Sequence, residues 1–362
     1  MGRVIIHVDM DYFYAAIEER EDPSLRDKAV VVCMYSNRGE SGGAVSTSNY
    51  IAREAGIRSA MPCKLARSKK PDAVFLPVRK PFYEEVSANI MEILRSNADT
   101  EEAFEKISID EAFLEITVSC KGDYGLAEEI GLRIKQEVKE QERITCSVGI
   151  GPNKLIAKMA SSYQKPDGIT IVRPEDVDGF LKPMPVKELW GIGKVTEEKL
   201  SEMGINKVEE LASCDVMELI AVFGKNKGMW LKDAASGIDE SPVKERTATD
   251  QIGRMASLEH DSRNENMIFS LLEELVDDVM EKVRKRKVSF RSVTVTVIFS
   301  NFKTSTKSRT LNHAVNDRDI LIQNAREMMK QFLEKSEINF RRIGVRVDNL
   351  QENTGQKSLF DF

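Results

Sequence analysis

The C-terminal part of the chain carries an alternation that few folds can accommodate. Val293, Val295, Val297 and Phe299 alternate with Thr294, Thr296 and Ile298, which predicts a strand with one apolar face. Ahead of it, Met267, Leu271, Leu275, Val279 and Val283 recur on one helical ridge, with Ile268, Leu272, Val276 and Met280 beside them. Ser262 and Glu265 have the spacing of a capping box that opens this helix. A polar strand follows over 304–310, then a helix marked by Leu321, Ile322, Ala325, Met328, Met329, Phe332 and Leu333, then a strand over 342–350. With a strand over 251–258 in front, the order is β-α-β-β-α-β, a split-βαβ plan. That plan constrains the fold and leaves the function open.

The rest of the chain is too long to join it in one domain. At roughly 150 residues per domain, 362 residues give two or three. Hydrophobic residues make up 41%, enough for packed cores, so a disordered chain is excluded. No apolar run approaches the roughly 18–20 residues of a membrane-spanning helix, and the apolar start breaks at Asp9, too early for a signal peptide. Five scattered cysteines and three histidines argue against a structural zinc site and for a reducing, cytoplasmic setting. The net charge of −6 means that any nucleic-acid binding comes from local patches.

Upstream, residues 4–8 read as a buried strand that stops at Asp9-Met10-Asp11, with Asp11 placed to cap a helix over 12–20. A strand over 29–34, a Gly/Ser-rich loop over 36–43 and a helix over 47–55 follow. Runs over 105–109 and 112–116 predict a hairpin with Asp110 and Glu111 at its tip. A helix over 126–141, a strand over 145–150 and a helix over 154–162 complete an α+β unit. Residues 186–237 read as a small helical domain, and 239–247, with Pro242 and no apolar periodicity, as a linker.

Asp9 with Asp110 and Glu111 could converge on one point. Three acids there repel each other unless a cation neutralises them, and magnesium, a hard ion that takes oxygen donors and phosphates, suits the set. On spacing alone, the same acids also suit a helix cap and a solvated turn.

The surrounding motifs decide between these. Asp9-Met10-Asp11-Tyr12-Phe13-Tyr14-Ala15, Gly43-Ala44-Val45-Ser46-Thr47-Ser48-Asn49-Tyr50-Ile51-Ala52-Arg53, Ser108-Ile109-Asp110-Glu111-Ala112, Val148-Gly149-Ile150-Gly151-Pro152-Asn153-Lys154 and Lys165-Pro166-Asp167-Gly168-Ile169 occur in that order. The chain resembles a Y-family, lesion-bypass DNA polymerase, similar to the DNA polymerase IV branch and its archaeal members, over essentially its whole length. The resemblance implies an α+β multidomain right-hand polymerase. Its parts are a ferredoxin-like palm (1–18 and 79–168), small fingers (19–78), a helical thumb with a helix-hairpin-helix (169–238), a linker (239–247) and a β-α-β-β-α-β little finger (248–350).

The same resemblance implies template-directed, low-fidelity translesion synthesis without proofreading, with two Mg²⁺ ions held by Asp9, Asp110, Glu111 and the Met10 carbonyl. Many relatives have Phe where Met10 stands, a change that a backbone ligand tolerates. Tyr12, Phe13, Tyr14, Thr47, Tyr50, Arg53 and Lys165 are implied at the deoxynucleoside triphosphate, with Tyr14 as the steric gate against a ribose 2′-hydroxyl. Tyr50 and Arg53 share a helical face, where a phenol and a guanidinium fork suit a triphosphate.

For primer-template DNA, Gly191-Ile192-Gly193 and Lys194 have the look of a helix-hairpin-helix turn, whose glycines let backbone N–H groups approach a phosphate. Lys282, Arg284, Lys285, Arg286, Lys287, Arg291, Lys303, Lys307 and Arg309 face only Glu281 between positions 281 and 310, and Arg341, Arg342 and Arg346 follow. Arg291, Lys307, Arg309, Arg341, Arg342 and Arg346 are the expected phosphate contacts. The tail over 351–362 ends in Gln356, Leu359, Phe360 and Phe362, which resembles a peptide that plugs into a sliding clamp, although Asp361 separates aromatics that clamp peptides often place side by side. A monomer away from membranes is expected. The rival readings are a catalytically inactive DNA-binding, clamp-recruiting scaffold and a nucleotidyl cyclase.

Overall fold

The computed structural model describes residues 2–36, 38–245 and 251–352. They form two compact units: residues 2–32, 46–58 and 72–245 make the first, and 33–36, 38–45, 59–71 and 251–352 the second.

The first half of the chain runs β1 (Ile5–Met10), α1 (Phe13–Glu21), β2 (Val30–Ser36), β3 (Gly39–Ser48), α2 (Tyr50–Glu54), α3 (Cys63–Lys69), β4 (Val74–Pro77), α4 (Lys80–Ser96), β5 (Phe104–Lys106), β6 (Glu111–Glu115), α5 (Tyr124–Glu142), β7 (Cys146–Gly151), α6 (Lys154–Tyr163) and β8 (Ile169–Ile171). The principal sheet of the first unit has the order β5-β6-β1-β7-β8, antiparallel except for the β7–β8 pair. Its first four strands have the ferredoxin-like order. Ile6, Val8 and Met10 turn to the face that carries α4 and α5 and are buried with Ala112, Leu114, Val148 and Ile150. The opposite face carries α6, which can approach because β7 offers glycine: a Cβ on Gly149 would stand 2.0 Å from the Ala157 carbonyl oxygen.

The stretch over 36–43, expected as a loop, is largely strand. β3 starts at Gly39 and pairs with β2 in a small sheet of order β3-β2-β4. Gly43 (φ +119°) sits so close to β2 that a Cβ would lie 2.2 Å from the Met34 carbonyl oxygen; its glycine marks close approach, not a break. The following helix is shorter than expected because Asn49 starts it, its side chain accepting from the Ala52 N–H at 3.0 Å.

The helical segment of this unit is α7 (Val177–Leu181), α8 (Lys194–Glu202), α9 (Val208–Ser213), α10 (Val216–Phe223) and α11 (Lys225–Ala235) around Leu200, Leu211, Leu219 and Leu231. The expected linker, described as far as residue 245, lacks regular structure and is nonetheless anchored. Val243 is buried with Ile5, Phe113 and Ala157, and Ser241 and Glu245 take Arg3 and Arg95.

In the second unit, β9 (Gln251–Ser262), α12 (Glu265–Lys285), β10 (Val288–Phe299), β11 (Thr304–Val315), α13 (Arg318–Lys335), β12 (Phe340–Asp348) and a short β13 (Gln351–Glu352) give the predicted β-α-β-β-α-β order. The sheet order is β11-β10-β12-β9, all neighbours antiparallel, so two split βαβ units interlock. Val293, Val295, Val297, Ile343, Val345 and Val347 face α12 and α13; each such burial contributes about 1.5–3 kcal/mol. The helix starts later than the capping-box spacing suggests. Ser262 is still in β9, and Asn264 is the cap, accepting from the Met267 N–H at 3.1 Å.

Candidate active site

β1 and β6 pair antiparallel with Asp9 directly opposite Glu111 and His7 opposite Phe113. Directly opposed residues of an antiparallel pair project to the same face, so both acids join His7 on the α6 side of the sheet. Glu111 is thus the first residue of β6 and not part of the hairpin tip, which consists of residues 107–110. Asp110 stays in that turn. Its carbonyl accepts from the Met10 N–H at 2.9 Å, and its carboxylate takes the Ser108 hydroxyl. Asp9, Met10, Asp110 and Glu111 are therefore backbone neighbours.

Two lysines face the acids: Lys165 pairs with Asp9, and Lys158 of α6 with Glu111. Burial would raise the Glu111 pKa, but the hydrogen bond to His7 and then Lys158 outweigh it and bring the group down to about 2. His7 is fully buried, and that burial lowers its pKa. The Ser161 hydroxyl lies 2.7 Å from His7 Nδ1 and 2.8 Å from the Lys158 carbonyl oxygen. His7 Nε2 lies 3.5 Å from the Lys158 amine and 3.5 Å from the Glu111 carboxylate. Among the described residues, no three of His, Cys, Asp and Glu stand together as a finished metal cage. The structure gathers the donors at one strand end and gives Asp9 and Glu111 lysine counter-charges. Hard carboxylate oxygens plus a main-chain carbonyl fit a divalent cation that takes oxygen ligands.

Asp11 does something else than expected. It is fully buried and caps no helix; Tyr12, in the left-handed conformation at φ 36°, occupies the cap position of α1. The Asp11 carboxylate accepts from the Thr145 and Ser147 hydroxyls and from the Asp167 N–H, each at 2.8 Å. It thereby ties the end of β1 to β7 and to the turn that presents Lys165.

The aromatic residues after β1 divide by direction. Phe13 is 2% exposed and packs in the core, because helix periodicity points its ring inward. Tyr12 and Tyr14 remain at the surface of that core. Tyr12 meets the Tyr50 ring edge-on at 5.3 Å, and its hydroxyl donates to Glu19 at 3.3 Å. Burial, reinforced by Glu19, pushes the Tyr12 phenol up to about 12. Tyr14 stacks on Tyr83, and burial followed by the charge of Asp110 raises its pKa. Tyr83, fully buried, donates to Glu18, which Arg79 grips with two bonds of 2.8 and 2.6 Å.

Tyr50 opens α2. Its hydroxyl is buried without a partner among the described atoms, and that burial, followed by the charge of Asp11, raises its pKa against the opposing charge of Arg53. Arg53 lies over the Tyr50 ring at 5.0 Å and donates from Nε to the Ser48 carbonyl at 2.9 Å. Thr47 precedes them on β3. An orphaned phenol and a guanidinium with free nitrogens beside two carboxylates suit the oxygens of a polyanion.

Of the DNA-contact candidates, Gly191 has φ +91°, and a Cβ there would stand 2.5 Å from the Trp230 ring, so only glycine fits. Gly193 precedes α8 with open space around it, and Lys194 is exposed as its first residue. In the second unit the helix-free face of the sheet presents Thr296, Thr306, Ser308, Arg342 and Arg346. Lys307 and Arg309 are not on it. They lie opposite Val295 and Val293, on the helix side, where Lys307 donates to Gln331 at 2.5 Å and Arg309 pairs with Glu327 at 2.6 Å. Charge counting along β11 missed its two-residue alternation. Arg291 is exposed at a bulge and donates to the Leu311 carbonyl, and Arg341 pairs with Asp261. Gln356, Leu359, Phe360 and Phe362 lie outside the described residues.

Sequence reasoning missed His7, Lys158, Tyr83, Glu18 and Arg79. Lys154 and Lys158, one turn apart on α6, were the available signal: Lys154 pairs with buried Glu105 at 2.7 Å as Lys158 does with Glu111.

Three family models match the chain: the impB/mucB/samB family over residues 8–162, the HHH motif of the IMS family over 174–205, and the impB/mucB/samB C-terminal domain over 249–359. The chain is 62% identical over 365 residues to the DNA polymerase IV of Methanosarcina acetivorans, covering all of both chains. It is 37% identical to that of Nitrosopumilus maritimus, over 99% of each. Among solved structures, a Y-family DNA polymerase chimera of Dbh and Dpo4 superposes with a TM-score of 0.90 at 34% identity, covering 97% of this chain and 100% of that one. An insertion ternary complex of Dbh DNA polymerase, with the same identity and coverage, has a TM-score of 0.67. The chain belongs to the impB/mucB/samB family of Y-family DNA polymerases and stands among its archaeal DNA polymerase IV members.

Proposed function

We propose that this protein is a translesion DNA polymerase that extends a primer 3′-hydroxyl with template-directed deoxynucleotides at low fidelity and releases pyrophosphate. The observation that carries the reading is the Asp9–Glu111 cross-strand pair, with Asp110 joined to Met10, next to Tyr14 and Tyr50 in a chain of this family.

Asp9, Asp110, Glu111 and the Met10 carbonyl would hold divalent metal, which we take to be two Mg²⁺ ions. Such ions lower the pKa of the primer hydroxyl and neutralise phosphate charge. The Tyr50 hydroxyl and the Arg53 fork bind triphosphate oxygens, with Tyr12 and Thr47 beside them. Lys165 exchanges its Asp9 carboxylate for a phosphate. The Tyr14 ring, backed by Tyr83, fills the space a 2′-hydroxyl needs.

The first unit then contains the palm (1–18 and 79–168), much of the fingers (19–78) and the thumb (169–238). Residues 239–247 form the connection, anchored through Val243, and 248–350 the little finger. Gly191, Gly193 and Lys194 of the thumb and Arg342 and Arg346 of the open sheet face hold DNA through its phosphates, independently of sequence. Residues 351–362 recruit a sliding clamp through Gln356, Leu359, Phe360 and Phe362. The protein works as a cytoplasmic monomer; no helix among the described residues is long and apolar enough to cross a membrane.

Primer extension with a divalent cation tests the activity. Template-dependent products support it, while DNA binding without extension favours an inactive scaffold. Ending the chain at Glu352 is expected to spare basal synthesis and remove stimulation by the clamp; retained stimulation contradicts the tail assignment.

A further inference from the structure

α1 buries two neighbouring carboxylates that take different partners. Glu18 holds Tyr83 and Arg79 behind the Tyr14 ring. Glu19, 9% exposed, accepts one donor on each oxygen: the Asn49 amide donates to Oε1 at 2.8 Å and the Tyr12 hydroxyl to Oε2 at 3.3 Å. Burial outweighs both bonds and raises the Glu19 pKa, so the acid is held here at a cost that packing alone would not call for.

The position of α2 depends on Asn49. A helix of five residues is too short to hold itself, so its start decides where it lies. Asn49 is 2% exposed and uses every polar atom of its side chain. Oδ1 accepts from the Ala52 N–H of α2 and from the Val30 N–H of β2, each at 3.0 Å. Nδ2 donates to Glu19 and, at 2.7 Å, to the Lys28 carbonyl. At the other end of Glu19, the Tyr12 ring meets Tyr50 edge-on. Tyr12 has φ 36°, a backbone conformation that a bulky residue keeps only when its surroundings impose it.

We propose that Glu19 is a positioning residue for the incoming nucleotide: its carboxylate joins the Tyr12 phenol to the start of α2 and thereby sets where the Tyr50 hydroxyl and the Arg53 guanidinium meet a triphosphate. Glu19 itself touches no substrate. The proposal rests on the polymerase reading, in which Tyr50 and Arg53 bind those oxygens. Its effect falls on nucleotide binding and not on the chemical step, because the acids at the end of β1 keep their own backbone bonds and lysines.

The test uses the full chain on one primer-template, with steady-state single-nucleotide insertion, DNA-binding isotherms and melting curves. Glu19→Met fills the same space without an acceptor. Asn49 keeps the Lys28 carbonyl and the half-buried Tyr12 hydroxyl turns to water, so the variant is expected to melt no lower than the unaltered protein. Its KM for the paired dNTP is expected to rise roughly tenfold or more, with kcat within about twofold and DNA affinity unchanged. Glu19→Gln keeps the shape and one acceptor and is expected to raise KM less, by about threefold. A packing role alone would move the melting temperature and leave KM where it was. Unchanged KM in Glu19→Met, or a fall in kcat or DNA affinity as large as the rise in KM, overturns the proposal. Equilibrium titration with a nonhydrolysable dNTP analogue reads the same shift without turnover. Weaker analogue binding by Glu19→Met in a protein that never extends a primer sinks the polymerase reading alone; extension with unchanged KM sinks this proposal alone.

Discussion

Tyr14 lies almost flat on Tyr83, with ring centroids 4.2 Å apart and planes 17° from parallel. Tyr83 cannot yield, because its ring is buried and its hydroxyl is bonded to a carboxylate that Arg79 also holds. A ring backed in this way can exclude a substituent by contact alone. Tyr14→Ala is expected to keep deoxynucleotide incorporation and admit ribonucleotides. Single-nucleotide insertion with paired dNTP and rNTP series measures it; unchanged sugar selectivity contradicts the role of Tyr14.

Tyr83→Phe separates the ring from its hydrogen bond. It is expected to lower stability by about 1–2 kcal/mol, as for the loss of a buried hydrogen bond, while sugar selectivity stays near that of the unaltered protein. Denaturant unfolding and the same insertion assay read the two effects independently.

Asp11 and Asp9 are two residues apart and are expected to fail differently. Asp11→Ala removes a fully buried carboxylate that holds the buried Ser147 hydroxyl, the half-buried Thr145 hydroxyl and the Asp167 N–H, and is expected to cost about 3 kcal/mol, visible as a clear drop in melting temperature. Asp9→Ala removes a partly buried partner of Lys165 and is expected to leave the melting temperature nearly unchanged. A similar stability loss in both variants contradicts the division of roles.

These contrasts mark what the sequence could and could not reveal. The Val293–Phe299 alternation determined β10 because its two faces meet different surroundings, helices on one side and polar contacts on the other. The acids after β1 were recognisable as a group by their motifs, but their separate roles depend on register. One residue of offset makes Glu111 a strand residue opposite Asp9 and leaves Asp110 in the turn. The function of Asp11 depends on Thr145, Ser147 and Asp167, which no local pattern connects to it. Lys307 and Arg309 look basic in any count, yet alternation turns both onto α13.

The little-finger arginines follow from that same alternation. Arg342→Ala and Arg346→Ala are each expected to lower the salt slope of DNA binding by about 1, one phosphate contact apiece. Lys307→Ala and Arg309→Ala are expected to leave the slope unchanged. Titrations of a primer-template at several salt concentrations distinguish them, and an equal slope change in all four variants contradicts the face assignment.

The most direct measurement of the central claim is primer extension by the unaltered protein and by Asp110→Ala, with and without added Mg²⁺, alongside melting curves and DNA-binding isotherms. Cation-dependent, template-directed extension is expected for the unaltered chain. In the variant it should fall by about a thousandfold with folding and DNA affinity retained. Extension that survives Asp110→Ala, or proceeds equally without divalent cation, would contradict the assignment of these acids as the catalytic centre.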